Sequence, residues 1–349
     1  MQWKLPHPEA LNNFLEAISL GRIVYTLEKT GEQYHLVQSK AWNPATHTLG
    51  DFRPVEPIKS LVFKPRENLG DIFTDTPAAE ITERVVIGVK NCDLSALKIH
   101  DHVFLHSDPL DPAYANLREK TILVSVDCAC AGKTCFCTAV REQPYAKEGF
   151  DINISPLGKG YVIETGSRRG EEVCQTAVHI FEKIDDKTLK ARDELRAKVY
   201  KEVEAQAALK GINATQDFTT AVKKTLDGQL WDDFAEDCVE CGACNLACCT
   251  CHCFLLSDGV QVGGTTGISR NRQWDSCLFR NFARVAGGGN PRHHRAERLY
   301  NRFDKKFVYF PEIIKKFACD GCGRCVESCT GKIDIREVLK KAVDEAKSL

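Results

Sequence analysis

Cysteine carries most of the chemistry legible in this chain. Eight of its cysteines fall into two copies of one spacing, Cys238-x2-Cys241-x2-Cys244-x3-Cys248 and Cys319-x2-Cys322-x2-Cys325-x3-Cys329. Two-residue gaps in a tight loop turn three thiolates toward three corners of one iron–sulfur cube. The fourth cysteine, expected to open a helix, reaches the neighbouring cube. The expected ligand sets are Cys238, Cys241, Cys244 and Cys329 for one [4Fe-4S] cluster, and Cys319, Cys322, Cys325 and Cys248 for the other. Structural zinc is the alternative, since a single C-x2-C suits it equally well. The chemistry this predicts is one-electron transfer.

Ten cysteines remain. Cys92, Cys128, Cys130, Cys135 and Cys137 suit a third iron–sulfur site, held by Cys92, Cys135, Cys137 and one of Cys128 or Cys130; free or redox-active thiols are the competing reading. Cys251, Cys253 and Cys277 form another group, with Cys249 or an oxygen or nitrogen donor such as His252 as fourth ligand. In Cys251-His252-Cys253 an extended backbone would put both thiols on one side, and Cys277 is expected at a loop-to-helix transition. Cys174, inside a helical pattern from Glu171 to Ile184, reads as a small buried apolar residue.

The elements that must position these thiols are partly readable. Pro8 to Leu20 has helical apolar spacing, and Arg22–Lys29 with Gln33–Ser39 reads as a hairpin around Thr30-Gly31-Glu32. Arg84 to Lys90 and Thr121 to Asp127 are apolar runs flanking a helical pattern over Asp93 to Leu105. Strand, helix, strand with both strands continuously apolar predicts a βαβ unit in a partly parallel sheet covered on both faces. Ligands of such sheets collect at the carboxyl ends of strands, where Cys92 and the Cys128–Cys137 segment would leave. The expected organisation is an α/β domain over 1–169, a helical bridge over 170–237 broken near Gly211-Ile212-Asn213, and a two-cluster domain over 238–349. The last carries an insertion over about 254–316 and a closing helix over Asp334 to Ala346.

Length and composition bound the rest. A chain of 349 residues with 43% hydrophobic and 27% charged content is an ordinary globular protein of two or three domains. Its net charge of -1 implies no bulk polyelectrolyte partner. The start, Met1 to Pro8, lacks the apolar core of a secretory signal, and no apolar run is long enough to span a membrane. Together with eighteen cysteines, this predicts a reducing cytoplasm with thiols serving metal.

Several further motifs fit one family jointly. They are Gly88-Val89-Lys90-Asn91-Cys92-Asp93, Cys135-Phe136-Cys137, Thr250-Cys251-His252-Cys253-Phe254, Trp274-Asp275-Ser276-Cys277, Ala286-Gly287-Gly288-Gly289-Asn290-Pro291-Arg292, Lys306-Phe307-Val308-Tyr309-Phe310-Pro311 and Gly323-Arg324-Cys325. With the two cysteine runs, which are spaced as in bacterial two-cluster ferredoxins, most of the chain resembles a family of iron–sulfur subunits. Its types are the beta subunit of sulfhydrogenases and the corresponding iron–sulfur subunit of anaerobic sulfite reductase. The resemblance implies an electron-transfer subunit beside a flavoprotein subunit that binds FAD and NAD(P). That pair would serve a catalytic redox subunit, whether nickel–iron hydrogenase, sulfite or polysulfide reductase, or a heterodisulfide-reductase-type module. Soluble ferredoxin is a further partner it allows. The chain departs from the family where proline usually follows the fourth cysteines, having Cys249 and Thr330 instead. Cys249 thereby competes with Cys248 as a ligand.

Between Ile268 and Lys306 ten cationic side chains stand against three acidic ones. Cluster tuning and docking of an acidic partner are the expected roles. Nucleic acid is the alternative partner, the interleaved aromatics then serving to stack bases, although no nucleic-acid fold signature accompanies the stretch. Gly263-Gly264-Thr265-Thr266-Gly267 and Gly287-Gly288-Gly289-Asn290 lack the context of phosphate loops and read as turns. No flavin or nicotinamide site is legible, and no carboxylate pair or nucleophile–base arrangement suggests bond-making catalysis by this chain. A stand-alone thiol or sulfide redox enzyme using the surplus cysteines is the remaining alternative.

Overall fold

A computed structural model of the chain describes residues 1–71, 81–260 and 268–349. The Gly263–Gly267 turn lies outside them.

The first helix, Pro8–Ser19, shows how sequence fixes an element. His7 accepts the Ala10 amide through Nδ1 at 3.2 Å, Pro8 presets the first turn, and Leu11, Phe14, Leu15 and Ile18 form the buried stripe. The stripe packs on a sheet built from β1 (Gln2–Leu5), β2 (Ile23–Thr30), β3 (Gln33–Ser39) and β4 (His47–Thr48). After β5 (Arg66–Asp71), which belongs elsewhere, β6 (Arg84–Val89), β7 (Thr121–Val126), β8 (Ile152–Pro156) and β9 (Tyr161–Thr165) complete it. The order is β1-β9-β8-β7-β6-β2-β3, with β4 on β2. Pairs β2–β6, β6–β7 and β7–β8 are parallel and the others antiparallel. Every residue of β6 and β7 is buried, because helices cover both faces. The β6–helix–β7 unit is as its apolar runs predict, its helix spanning Asn91–Leu105.

Beyond the sheet, helices Asp186–Ala208, Phe218–Lys224 and Leu230–Glu236 follow in series, the first two opened by the Asp185 and Asp217 caps. The helical pattern around Cys174 is shorter than expected, ending at Gln175. A second core joins Trp231, Phe218, Phe303, Phe307 and Leu339, so helices Arg295–Asp304 and Ile335–Ala346 close over it.

Strands β10 (Phe254–Val260) and β11 (Ile268–Trp274) form a hairpin within the region between the cysteine runs. β11 also pairs antiparallel with β5, from the first seventy or so residues. Arg272 reinforces that seam from within, buried between Glu67 at 2.6 Å and Asp111. The segment between the runs is thus hydrogen-bonded to the N-terminal half rather than looping free.

Candidate iron–sulfur centre

Each cysteine run folds around a glycine. Gly242 and Gly323 hold φ of +71° and +72°, the left-handed conformation that turns the chain into one-turn helices at Ala243–Leu246 and Arg324–Glu327. The fourth cysteines follow these helices instead of opening new ones, which corrects the expectation. With Cys249 and Thr330 in place of proline, nothing starts a helix there.

The structure brings the residues of the first expected set to one cavity, together with Cys325. Cys238, Cys241, Cys244 and Cys329 line one cavity, walled by Leu278, Leu299, Phe303, Ile333 and Arg302. Cys319, Cys322 and Cys325 line a second, with both Cys248 and Cys249. Cys325 and Arg302 border both cavities, so the two sets share a wall.

These residues fit cubane clusters better than zinc. Zinc with thiolates at about 2.3 Å would draw four sulfurs to about 3.8 Å of one another. Among the described residues, the only group of donors all within 4.8 Å is the exposed trio His293, His294 and Glu297. The cysteine sets are wider. Arg302 adds a second argument: it is buried, and its Nη2 has no partner among the described residues while lining both cavities. A cation with a spare donor suits an anionic cluster.

The thiols at the sheet edge also converge. Cys92 opens the helix after β6, and Cys128 follows β7. Cys128 lies in the electrostatic range of Cys135, Cys137 and Cys92, and it packs with Cys135 and Cys137. Cys130 is half-buried, in electrostatic range of Asp51, Glu202 and Cys128. Cys92, Cys128, Cys135 and Cys137 thus converge at the sheet edge, with Cys130 beside Cys128. This group abuts the second cavity: Phe136 N donates to Gly321 O at 2.8 Å, and the Cys135 thiol reaches Cys322 O at 3.9 Å. Cβ atoms at Gly321 and Gly323 would meet the backbone of Cys137 at 2.5 Å and of Thr134 at 2.3 Å, which is why both are glycine. Burial pushes the Cys128 and Cys244 thiols up to about 12.

The remaining group differs from expectation in detail. Residues 251–253 precede strand β10, and Asp275 N donates to Cys253 O at 2.9 Å, continuing the hairpin's pairing. Cys251 lies beside Cys248 and Cys253 beside Cys277, all as free thiols, and the Cys277 segment is a turn and not a helix start. His252 hydrogen-bonds the Thr250 carbonyl at 3.0 Å through Nδ1 and is half-buried, edge-on to Phe310. Cys174 is fully buried in the sheet core, away from the other thiols.

Sequence reasoning missed Asn245, buried between these groups. Its Nδ2 donates to Cys277 Sγ at 3.1 Å, and its Oδ1 accepts from Arg302 at 2.9 Å and from Cys251 at 3.7 Å. Its place between ligand cysteines was the available signal. Lys59 was missed too; its ammonium donates to Cys251 O at 2.9 Å and sits 4.2 Å from the Trp274 ring centroid. Of the basic stretch, Arg272, Arg298, Arg302 and Lys306 are buried, so it is not one phosphate-facing surface. Lys306 lies in a π-helical turn, Lys305–Tyr309, and donates to Cys248 Sγ at 3.2 Å and Cys251 Sγ at 3.6 Å. Burial opposes its charge, but these thiols outweigh burial and hold it protonated.

Residues 237–333 match the family of 4Fe-4S dicluster domains. Over 293 residues, 82% of this chain and 83% of the relative, the sequence is 31% identical to Sulfhydrogenase 2 subunit beta of Pyrococcus furiosus. No helix among the described residues is long and apolar enough to cross a membrane.

Proposed function

We infer, from the premise that this chain belongs to the family of the sulfhydrogenase beta subunits, that it relays single electrons through a multi-subunit oxidoreductase. Electrons would pass between a flavoprotein partner binding FAD and NAD(P) and a catalytic redox subunit of hydrogenase, sulfite or polysulfide reductase, or heterodisulfide-reductase type. Soluble ferredoxin is an acceptable exchange partner, and the reducing cytoplasm is the fitting compartment.

One observation carries the reading. Two thiol-lined cavities share the wall made by Cys325 and Arg302, and a third thiol set abuts the second through Cys322. Cys238, Cys241, Cys244 and Cys329 would hold one [4Fe-4S] cluster. Cys319, Cys322 and Cys325 would hold the next with Cys248 or Cys249. Cys92, Cys128, Cys135 and Cys137 would hold a third. The clusters supply the one-electron couple. The chain's own work is to fix thiolates, exclude water and set local charge. Arg53 does this between sets, donating to Cys322 O at 2.7 Å while its Nη2 pairs with Glu327 at 2.7 Å.

Cys322→Ala in the intact complex tests this. Physiological electron transfer is expected to be lost, while the flavoprotein's reduction of artificial dyes persists; unchanged physiological turnover would refute the relay. Iron analysis tests the third set: about twelve irons per chain or more are expected, and about eight would remove it.

A further inference from the structure

The basic stretch divides into two populations. Arg272, Arg298, Arg302 and Lys306 are buried, whereas Arg280, Arg284 and Arg295 are exposed. The ion pairs of the stretch belong to Arg270, Arg272 and Arg298, and among the described residues Arg280, Arg284 and Arg295 have none.

These three stand beside an opening in the thiol sets. Of the eighteen cysteines Cys241 alone is exposed, and it lines the first cavity. Arg295 donates through Nη1 to Cys238 O at 3.0 Å. The Phe279 ring closes on Gly242, where a Cβ would meet it at 2.6 Å, so Arg280 follows directly from a residue packed on the Cys241 loop. The turn that carries Arg284 is tied back to it, Asn290 Nδ2 donating to Arg280 O at 2.7 Å and Val285 N to Gly289 O at 2.9 Å. Exposed Lys332, just after Cys329, adds a fourth cation against the exposed carboxylates of Glu236 and Asp237. Val239 and Val285 are the large apolar side chains of this face, 59% and 58% exposed. Small charged footprints of this kind suit transient electron-transfer encounters, while permanently joined subunits meet over larger and more apolar surfaces.

We propose that the Cys241 edge is the port through which the relay exchanges electrons with a soluble acidic iron–sulfur carrier of the ferredoxin class, docked on Arg280, Arg284, Arg295 and Lys332 around Val239. This deepens the relay reading and rests on it. The step is one electron passing between the carrier's cluster and the cluster held by Cys238, Cys241, Cys244 and Cys329; no bond forms or breaks and no proton moves. Nucleic acid fits this face less well, because Phe279 is packed on Gly242 and Phe303 is buried, so neither ring is free to stack a base.

The test is titration calorimetry of the full-length chain, reconstituted anaerobically with ferrous iron and sulfide, against an acidic two-cluster bacterial ferredoxin at about 20 mM and about 500 mM salt. Stopped-flow reduction by the same ferredoxin is the second readout. Binding is expected at low salt and should weaken steeply at high salt. Arg280→Glu with Arg284→Glu should weaken low-salt binding by about tenfold or more. Lys159→Glu, on the exposed turn between β8 and β9, should change it by less than about twofold. Cys241→Ala should bind ferredoxin as the wild type does, yet be reduced by it far more slowly. Glutamine at the arginines and serine at Cys241 replace any variant that does not fold. Unchanged low-salt affinity in the double variant, binding that salt leaves untouched, or wild-type reduction rates in Cys241→Ala overturns the port and leaves the relay standing. A wild-type chain that does not bind ferredoxin also overturns it, and arginine-dependent binding of duplex DNA in its place would name the other class of partner. A wild-type chain that holds no iron, or whose iron dithionite cannot reduce, overturns the relay itself.

Discussion

Replacing Lys306 by methionine removes one buried positive charge while keeping most of its length. The ammonium lies 3.2 Å from Cys248 Sγ. At an effective dielectric of about 20, one unit charge over that distance is worth about 5 kcal/mol. The exchanged electron resides on the iron core behind the sulfur, about twice as far, which leaves about 2.5 kcal/mol. For a one-electron couple that is about 110 mV. Lys306→Met should therefore lower the potential of the cluster held by Cys248 by about 100 mV, because the reduced, more negative state loses its counter-charge. Lys306→Arg should restore most of it. The assay is a potentiometric titration of the reconstituted chain followed by electron paramagnetic resonance. Thermal unfolding is recorded in parallel, because the same amine also donates to Thr250 Oγ1 and Ala318 O. A potential that stays fixed, or rises, in a folded Lys306→Met variant with its full iron content would refute the tuning argument.

Three other substitutions probe the scaffold. Arg324→Leu strands Asp93, which now takes two hydrogen bonds from the guanidinium at 2.7 Å and 3.1 Å, both partners being buried; a loss of about 3–5 kcal/mol in denaturant unfolding is expected, with Asp93→Asn recovering part of it in the double variant. Gly323→Ala should cost more than about 1–2 kcal/mol, since its Cβ would stand 2.3 Å from Thr134 O at a φ of +72°, and a wild-type melting curve would count against the close approach. Trp231→Ala, which empties a core position against Tyr300 and Phe303 and frees the Thr225 carbonyl, should destabilise by about 3–5 kcal/mol without altering cluster signals; a change in those signals would show that the two cores are not separable.

The parts of this molecule read most directly from sequence are those where one local rule dominates. β6 and β7 are legible because full burial on both faces demands unbroken apolar runs. The two cysteine runs are legible because ligand spacing is a local property of a loop. Pairing across long sequence distances is not. Nothing in Arg66–Asp71 announces that it will pair with Ile268–Trp274, since a polar strand beside an arginine-rich one has no period-2 apolar pattern to match. How Cys128 and Cys130 divide between the thiol set and the rim turns on the direction of the chain after β7, and alternation alone does not supply that. The surroundings of Cys248 and Cys249 are set by Lys306 and Cys322, residues more than fifty positions away in sequence.

Buried charge gives an argument for anionic centres that does not depend on cysteine spacing. Arg53, Lys59, Lys90, Arg302, Lys306 and Arg324 are all buried, each at 5% exposure or less, and they surround the thiol sets. Arg53 and Arg324 have carboxylate partners, Glu327 and Asp93. Lys59, Lys90, Arg302 and Lys306 have none within ion-pair distance among the described residues; they meet backbone carbonyls, one amide and sulfur. An ion taken out of water without a counter-charge costs several kcal/mol even after relaxation. Burial lowers the proton affinity of Lys59 and Lys90, while the sulfurs around Arg302 and Lys306 outweigh burial and keep those two charged. The fold can hold them only if something anionic lies among them. Protonated thiols such as those of Cys128 and Cys244, which burial pushes up to about 12, do not provide that charge, whereas the Cys248, Cys277 and Cys322 thiols, lowered by neighbouring thiols, give the cations part of it. Thiolate-ligated clusters do provide it. Cluster assembly and completion of the fold should therefore be one coupled process, with the lysines and arginines buried because the iron centres are there to receive them.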